Sequence, residues 1–280
     1  MKMLTKVALV SAMAISANAM AMESLDDSAL SAATGQDGIT IGVELGQTGI
    51  SIGNVYLHDN DGLDSTLPNL KGSDTAGAIA INGLTIKQNT AGNLATLDID
   101  ADGDTNGAFL NVAAEIAGLD LDIDTISVGA SGTLNEDTAM RGTTAGSEKE
   151  IISGLSLSLG KIGANIQLGS TPQGAMIKLN STLTGGLTIT DLGINDAANG
   201  GSIVMDKIFV RGAGNTSGDL LLDADVNITP TGLQVKNNGT QGINNYVQGI
   251  HLGAASNASV GDLEIQNLNL AGSTITITGH

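Results

Sequence analysis

The 280-residue chain has no cysteine and no tryptophan, only three prolines, and four aromatic rings in all: Tyr56, Phe109, Phe209 and Tyr246. Each shortage excludes something. Without cysteine there are no disulfides, so strength must come from strand pairing, metal or assembly. Without rings to fill a wide centre, the interior must be thin and made of Leu, Ile, Val and Ala. The same lack removes the aromatic platforms that sugar-cleaving sites use. Bases are scarce: 11 Lys and Arg stand against 29 Asp and Glu, a formal net charge of −18. That leaves no basic patch for nucleic acid and argues against docking on anionic lipid. Three histidines exist, His58, His251 and His280, and none stands in a nucleophile or metal motif. The chain reads as a non-enzyme.

What is there begins with an address. Lys2 and Lys6 precede a short apolar core, Val7 to Ile15, and two small-x-small sites follow, Ala17-Asn18-Ala19 and Ala19-Met20-Ala21. This is the layout of a secretory signal peptide over residues 1–21, cleaved after Ala21 or after Ala19. No later stretch is long and apolar enough to span a bilayer as a helix. Ser24 as N-cap, Asp27 in the first turn and Gly35 as a left-handed stop predict a short helix over residues 22–36. Residues 37–280 show no composition shift and read as one elongated β domain.

Glycine is abundant, at 39 residues, and the apolar side chains keep a step of two. In Gly154-Leu155-Ser156-Leu157-Ser158-Leu159-Gly160 the leucines take one face and the serines the other. The same rhythm runs from Ile39 to Leu45, at Ile50 to Leu57, Ile79 to Ile86, Leu119 to Ile123 and Ile162 to Leu168. It returns at Leu187 to Ile189, Leu233 to Val235, Leu263 to Ile265 and Ser273 to Thr278. His58-Asp59-Asn60-Asp61-Gly62 is a turn by composition, and Ser131–Lys149 and Asp196–Gly201 read as loops. Gly-Leu pairs at 83, 118, 154 and 186 make a loose repeat. The fold class is all-β, with two architectures open: a β-solenoid, or an antiparallel meander folded into two layers.

One run could carry chemistry. Asp98, Asp100, Asp102 and Asp104, followed by Asn106 and Gly107, resemble a calcium loop of hard oxygen ligands. The twelfth position, where such a loop ends in Glu, is Phe109. The competing reading is the wet face of a strand with Leu97 and Ile99 turned inward. Asp59, Asp61 and Asp64 form a poorer second cluster. Calcium is the only cofactor the sequence suggests.

Leu25-Asp26-Asp27 through Leu30-Ser31, Thr34 to Ile39, the turn at His58 and the ending Leu268 to Ile277 resemble a family of exported Gram-negative proteins, the FilA-type pilus assembly proteins. The resemblance implies a cell-surface or extracellular setting, self-association or partners among pilus and envelope proteins, and no catalytic or ligand residues. The expectation is an exported structural protein, a fibre subunit or assembly component. A calcium-tuned adhesin and a periplasmic carrier of an apolar ligand are the alternatives.

Overall fold

A computed structural model describes residues 38–46, 48–66 and 72–279. The expected signal peptide and the helix over 22–36 lie outside them. The chain divides into two units, residues 1–39 and 40–280, and the fold below is that of the second. It is all-β. The strands, in chain order, begin with β1 (Ile39–Val43), β2 (Ile50–His58), β3 (Gly77–Gln88), β4 (Ala95–Asp104), β5 (Gly107–Ile116) and β6 (Leu119–Ala130). There follow β7 (Lys149–Leu159), β8 (Ile162–Gly169), β9 (Ile177–Leu183), β10 (Leu187–Asp196) and β11 (Gly201–Gly212). The last are β12 (Leu220–Thr229), β13 (Gly232–Asn237), β14 (Ile243–Leu252), β15 (Ser259–Leu268) and β16 (Thr274–Ile277). Of these, β5, β9, β11, β12 and β14 were not legible as strands in the sequence.

The strands form two eight-stranded sheets, and the pairings between them are antiparallel. The first sheet runs β1-β4-β5-β8-β9-β12-β13-β16; the second runs β15-β14-β11-β10-β7-β6-β3-β2. From β2 onward the chain lays one hairpin in one sheet, crosses, and lays the next hairpin in the other. This decides between the two architectures: the layers are antiparallel and not a solenoid. The crossovers are short, Ala117-Gly118 from β5 to β6 and Gly160-Lys161 from β7 to β8. Every crossover falls on one side of the stack and every hairpin turn on the other.

Each sheet has an apolar side. In the first, the ladders join Ile99, Val112, Ile166, Ile177, Val226, Val235 and Ile275 into one row. In the second they join Ile50, Ile86, Leu121, Leu157, Ile189, Ile208, Val247 and Leu263. Crossovers of two to seven residues tie the sheets along one side, where such sides can be buried against each other. Leu183 and Leu220, paired beside the crossovers, are buried, and so are the small Ala78, Ala80 and Ala175 toward the hairpin turns, where the larger Leu57, Ile79, Ile194, Ile203, Leu252 and Ile228 are exposed. Among the described residues, no large side chain is fully buried. The aromatic-poor composition is matched by this thin interior.

The second sheet contains a feature that a pure period of two does not predict. Its apolar residues step by two and then once by three: Ile52 to Val55, Ile81 to Leu84, Ile123 to Ile126, Ile152 to Leu155, Ile189 to Leu192, Met205 to Ile208, Val247 to Ile250, Val260 to Leu263. Strict alternation would turn Ile79 and Ile81 to the side opposite Leu84 and Ile86. Left-handed residues sit in the step on four strands: Gly83 (φ 67), Gly154 (φ 64), Asp191 (φ 58) and Gly249 (φ 64). A left-handed residue re-aims the strand and shifts its alternation by one position. Pairing lapses there and resumes in unchanged register, Asn82↔Thr125 on one side and Thr85↔Asp122 on the other. The line is straight from β2 to β7, moves by two residues between β7 and β10, and is straight again to β14; against β15 the register shifts there, Ile250 facing Gly261 and not Val260. Two of the Gly-Leu pairs mark it, at 83 and 154; those at 118 and 186 stand just before β6 and β10.

Candidate functional site at the exposed sheet edges

The predicted acids are placed first. Asp98, Asp100, Asp102 and Asp104 all lie on β4, with Asp100 opposite Asn111 and Asp102 opposite Phe109 on β5. They are spread along one strand rather than gathered in a loop. Thr40 Oγ1 donates to Asp98 at 2.7 Å, and the backbone N–H of Ala101 and Gly103 donate to Asp100 and Asp102. Asp104 caps the hairpin, accepting the Asn106 N–H at 2.8 Å. Among the described residues, no three acidic or histidine side chains converge as a metal site would require. Asp59 and Asp64 bind backbone instead: Asp59 accepts from Asp61 N–H and Asp64 from Thr66 N–H and Oγ1. These hydrogen bonds hold both carboxyls below their usual range, for Asp64 chiefly through the Thr66 hydroxyl.

The histidines are likewise engaged. His58 Nδ1 lies 3.0 Å from Ser131 Oγ, but that hydroxyl donates to the Gly77 carbonyl at 2.6 Å, and the ring stacks on Tyr56. The pair ties the loop after β6 to the end of β2. His251 Nδ1 faces the Asn257 carbonyl at 2.6 Å and Nε2 faces Asp206 at 3.2 Å. Both partners are acceptors, so the doubly protonated ring satisfies both, and its pKa is raised, first by Asn257 and then by Asp206. His280 is outside the described residues. Among the described residues, one open depression of about 340 Å³ is lined by Asp98, Ala113, Asn165 and Lys178, and a larger one of about 610 Å³ by Phe209, Arg211, Tyr246 and Glu264.

The edges are different. The stack ends in β15 on one sheet and β16 on the other, and both are exposed along their whole length. Val260, Leu263, Ile265, Leu268, Leu270, Ile275 and Ile277 are all large, apolar and exposed there. At the opposite end, β1 and β2 expose Ile41, Val43, Ile50, Val55 and Leu57. Folded proteins normally blunt a free edge with lysine, proline or a covering loop. Neither β15 nor β16 contains lysine or proline; β15 carries Asp262 and Glu264, and β16 has no charge. The rhythm of Ile50 to Leu57, Leu263 to Ile265 and Ser273 to Thr278 marks strands but not their place at the sheet edges. The signal lay in topology, which periodicity does not carry.

Comparison with known proteins adds one finding. Residues 1–124 match a family described as of unknown function, DUF6160, which covers less than half of the chain. No curated protein and no solved structure matches.

Proposed function

We propose that this is an exported, non-enzymatic structural protein that assembles through its sheet edges, as a subunit or assembly component of a surface fibre. The observation that supports this best is the full exposure of β15 and β16, which present unpaired backbone groups beside large apolar side chains. Such an edge is a template for another strand. The resemblance of both chain ends to FilA-type proteins points the same way. Residues 22–280, purified and concentrated, form filaments or stacked oligomers in negative stain and sedimentation. A chain with Leu263→Lys and Ile275→Lys, charged on both edges, stays monomeric. A wild-type chain monomeric at every concentration would overturn the proposal.

A second reading rests on a separate observation. Two exposed groups, Leu57 with Ile79 and Ile194 with Ile203 and Leu252, leave apolar side chains open toward the hairpin turns. A carrier would cover them with an apolar chain. Stoichiometric lipid in mass spectra of protein purified from the envelope would favour the carrier; lipid-free protein favours the fibre.

A further inference from the structure

Taking the self-assembly reading as its basis, we infer that the partner of the β15 edge is the β2 edge of a second copy of this chain. In this pairing Val260 stands opposite Val55, Leu263 opposite Ile52, and Ile265 opposite Ile50.

Three independent features converge on this pairing. The first is the broken rhythm. On β15 the apolar residues stand at 260, then three on at 263, then two on at 265, with a second step of three to Leu268 beyond left-handed Asn267, outside the segment paired here. On β2 they stand at 50, two on at 52, then three on at 55. Read antiparallel, the two series coincide at all three positions, and Gly261-Asp262 falls opposite Asn54-Gly53. A shift by two residues would put the three-residue step of one strand against a two-residue step of the other. Within the sheet the steps coincide at five of the seven boundaries; they fail to between β7 and β10, and between β14 and β15, where Ile250 faces Gly261. The new boundary matches the five.

The second is strand direction. Each sheet has eight strands. The end strands of an even antiparallel sheet run oppositely, so a copy displaced along the stack adds another antiparallel neighbour. The third is hydrogen-bond type. Along any row, antiparallel pairs alternate between hydrogen-bonded and non-hydrogen-bonded. Seven ladders separate Ile50 from Leu263. The odd number leaves their free sides of the same kind, and the Leu263–Ile52 pairing joins like to like. The other sheet presents its own pair of free edges at the same two ends, β16 and β1, where Ile275 and Ile277 alternate with threonine as Ile41 and Val43 flank glycine. One displacement extends both sheets.

The absence of cysteine makes the register directly testable. Two chains are compared under mild oxidation, one with Ile50→Cys and Ile265→Cys, the other with Ile50→Cys and Leu263→Cys. Strands at opposite edges of an eight-stranded sheet lie about 34 Å apart, so no bond closes within one chain. The first variant gives a ladder of covalent dimers and higher oligomers, at least tenfold more than the second. A second matched pair, Val55→Cys with Val260→Cys, gives the same ladder across the three-residue step and guards against a folding failure in the first. Filaments in the microscope with no preference between the two variants would overturn this register and leave self-assembly standing. Wild-type protein that never associates would remove both.

Discussion

Gly53 and Gly83 face each other across the β2–β3 ladder, yet only one of them needs to be glycine. At Gly53 an added Cβ would meet nothing within 4 Å. At Gly83 the backbone is left-handed, φ 67, and a Cβ would run into the Asp124 carboxylate. A side chain there suffers both the left-handed penalty of about 1–2 kcal/mol and a displaced neighbour. Gly83→Ala is therefore expected to lower stability by roughly 2 kcal/mol, while Gly53→Ala stays within about 0.5 kcal/mol of wild type. Urea midpoints of the two variants check this; equal midpoints would mean that the left-handed residue is not what carries the step of three. Asp191 occupies the same kind of place without being glycine, at φ 58. Short polar side chains tolerate this region best. Asp191→Gly should then be nearly neutral, and Asp191→Val should cost about what Gly83→Ala does.

At the scale of an element, β15 is held to the sheet by β14 alone, and two side-chain clasps add to the ladder. Asp262 accepts the Gly249 N–H at 2.8 Å and the Tyr246 hydroxyl at 2.5 Å, which holds its carboxyl below the usual range, first through the backbone donor. His251 at the other end of the hairpin is shifted upward by Asn257 and Asp206. The signs oppose. A lowered carboxyl contributes above its unfolded value near 3.8 and loses that contribution as pH falls through the lower folded value. A raised imidazole contributes fully below 6.5 and loses its contribution as pH rises through the higher folded value. Amide exchange of β15 should be slowest between these limits, faster at both mildly alkaline and strongly acid pH relative to β10. Asp262→Asn should remove the acid limb and His251→Gln the alkaline limb; limbs unchanged in the variants would assign the pH dependence elsewhere. These clasps were hidden in the sequence, because Asp206, Tyr246, His251 and Asp262 sit on three strands. The strand class, the turn at His58 to Gly62 and the loops before Lys149 and Gly201 were legible, since each is a local pattern. The strands β5, β11 and β14 were not, since alanines, Asp206-Lys207 and Gln248-Gly249 interrupt their alternation. Only the pairing of neighbours shows that the interruptions of β11 and β14 fall opposite each other in the second sheet.

At the scale of the whole molecule, assembly must overcome charge. The formal charge is −18, and loss of residues 1–21 with Lys2 and Lys6 would make it −20 (−18 − 2). Eight strands at about 4.8 Å set a spacing of roughly 38 Å between successive copies in a stack. The screening length is about 30 Å at 0.01 M salt and about 8 Å at 0.15 M. Neighbours therefore repel across most of their spacing at low salt and hardly at all at physiological salt. The proposed apolar contacts along β2 and β15 would not depend on salt in this way. The stacked fraction measured by sedimentation should rise steeply between these two concentrations, while the unfolding midpoint of a monomeric edge-lysine variant changes little. The acids decide which cation matters. Asp98, Asp100, Asp102 and Asp104 are strung along β4 and bound to backbone or hydroxyl groups, and among the described residues no three acids converge. Calcium should then promote stacking no better than magnesium at equal ionic strength. A calcium effect that magnesium does not reproduce, and that Asp100→Asn with Asp102→Asn abolishes, would show that these carboxylates rearrange into a site on assembly.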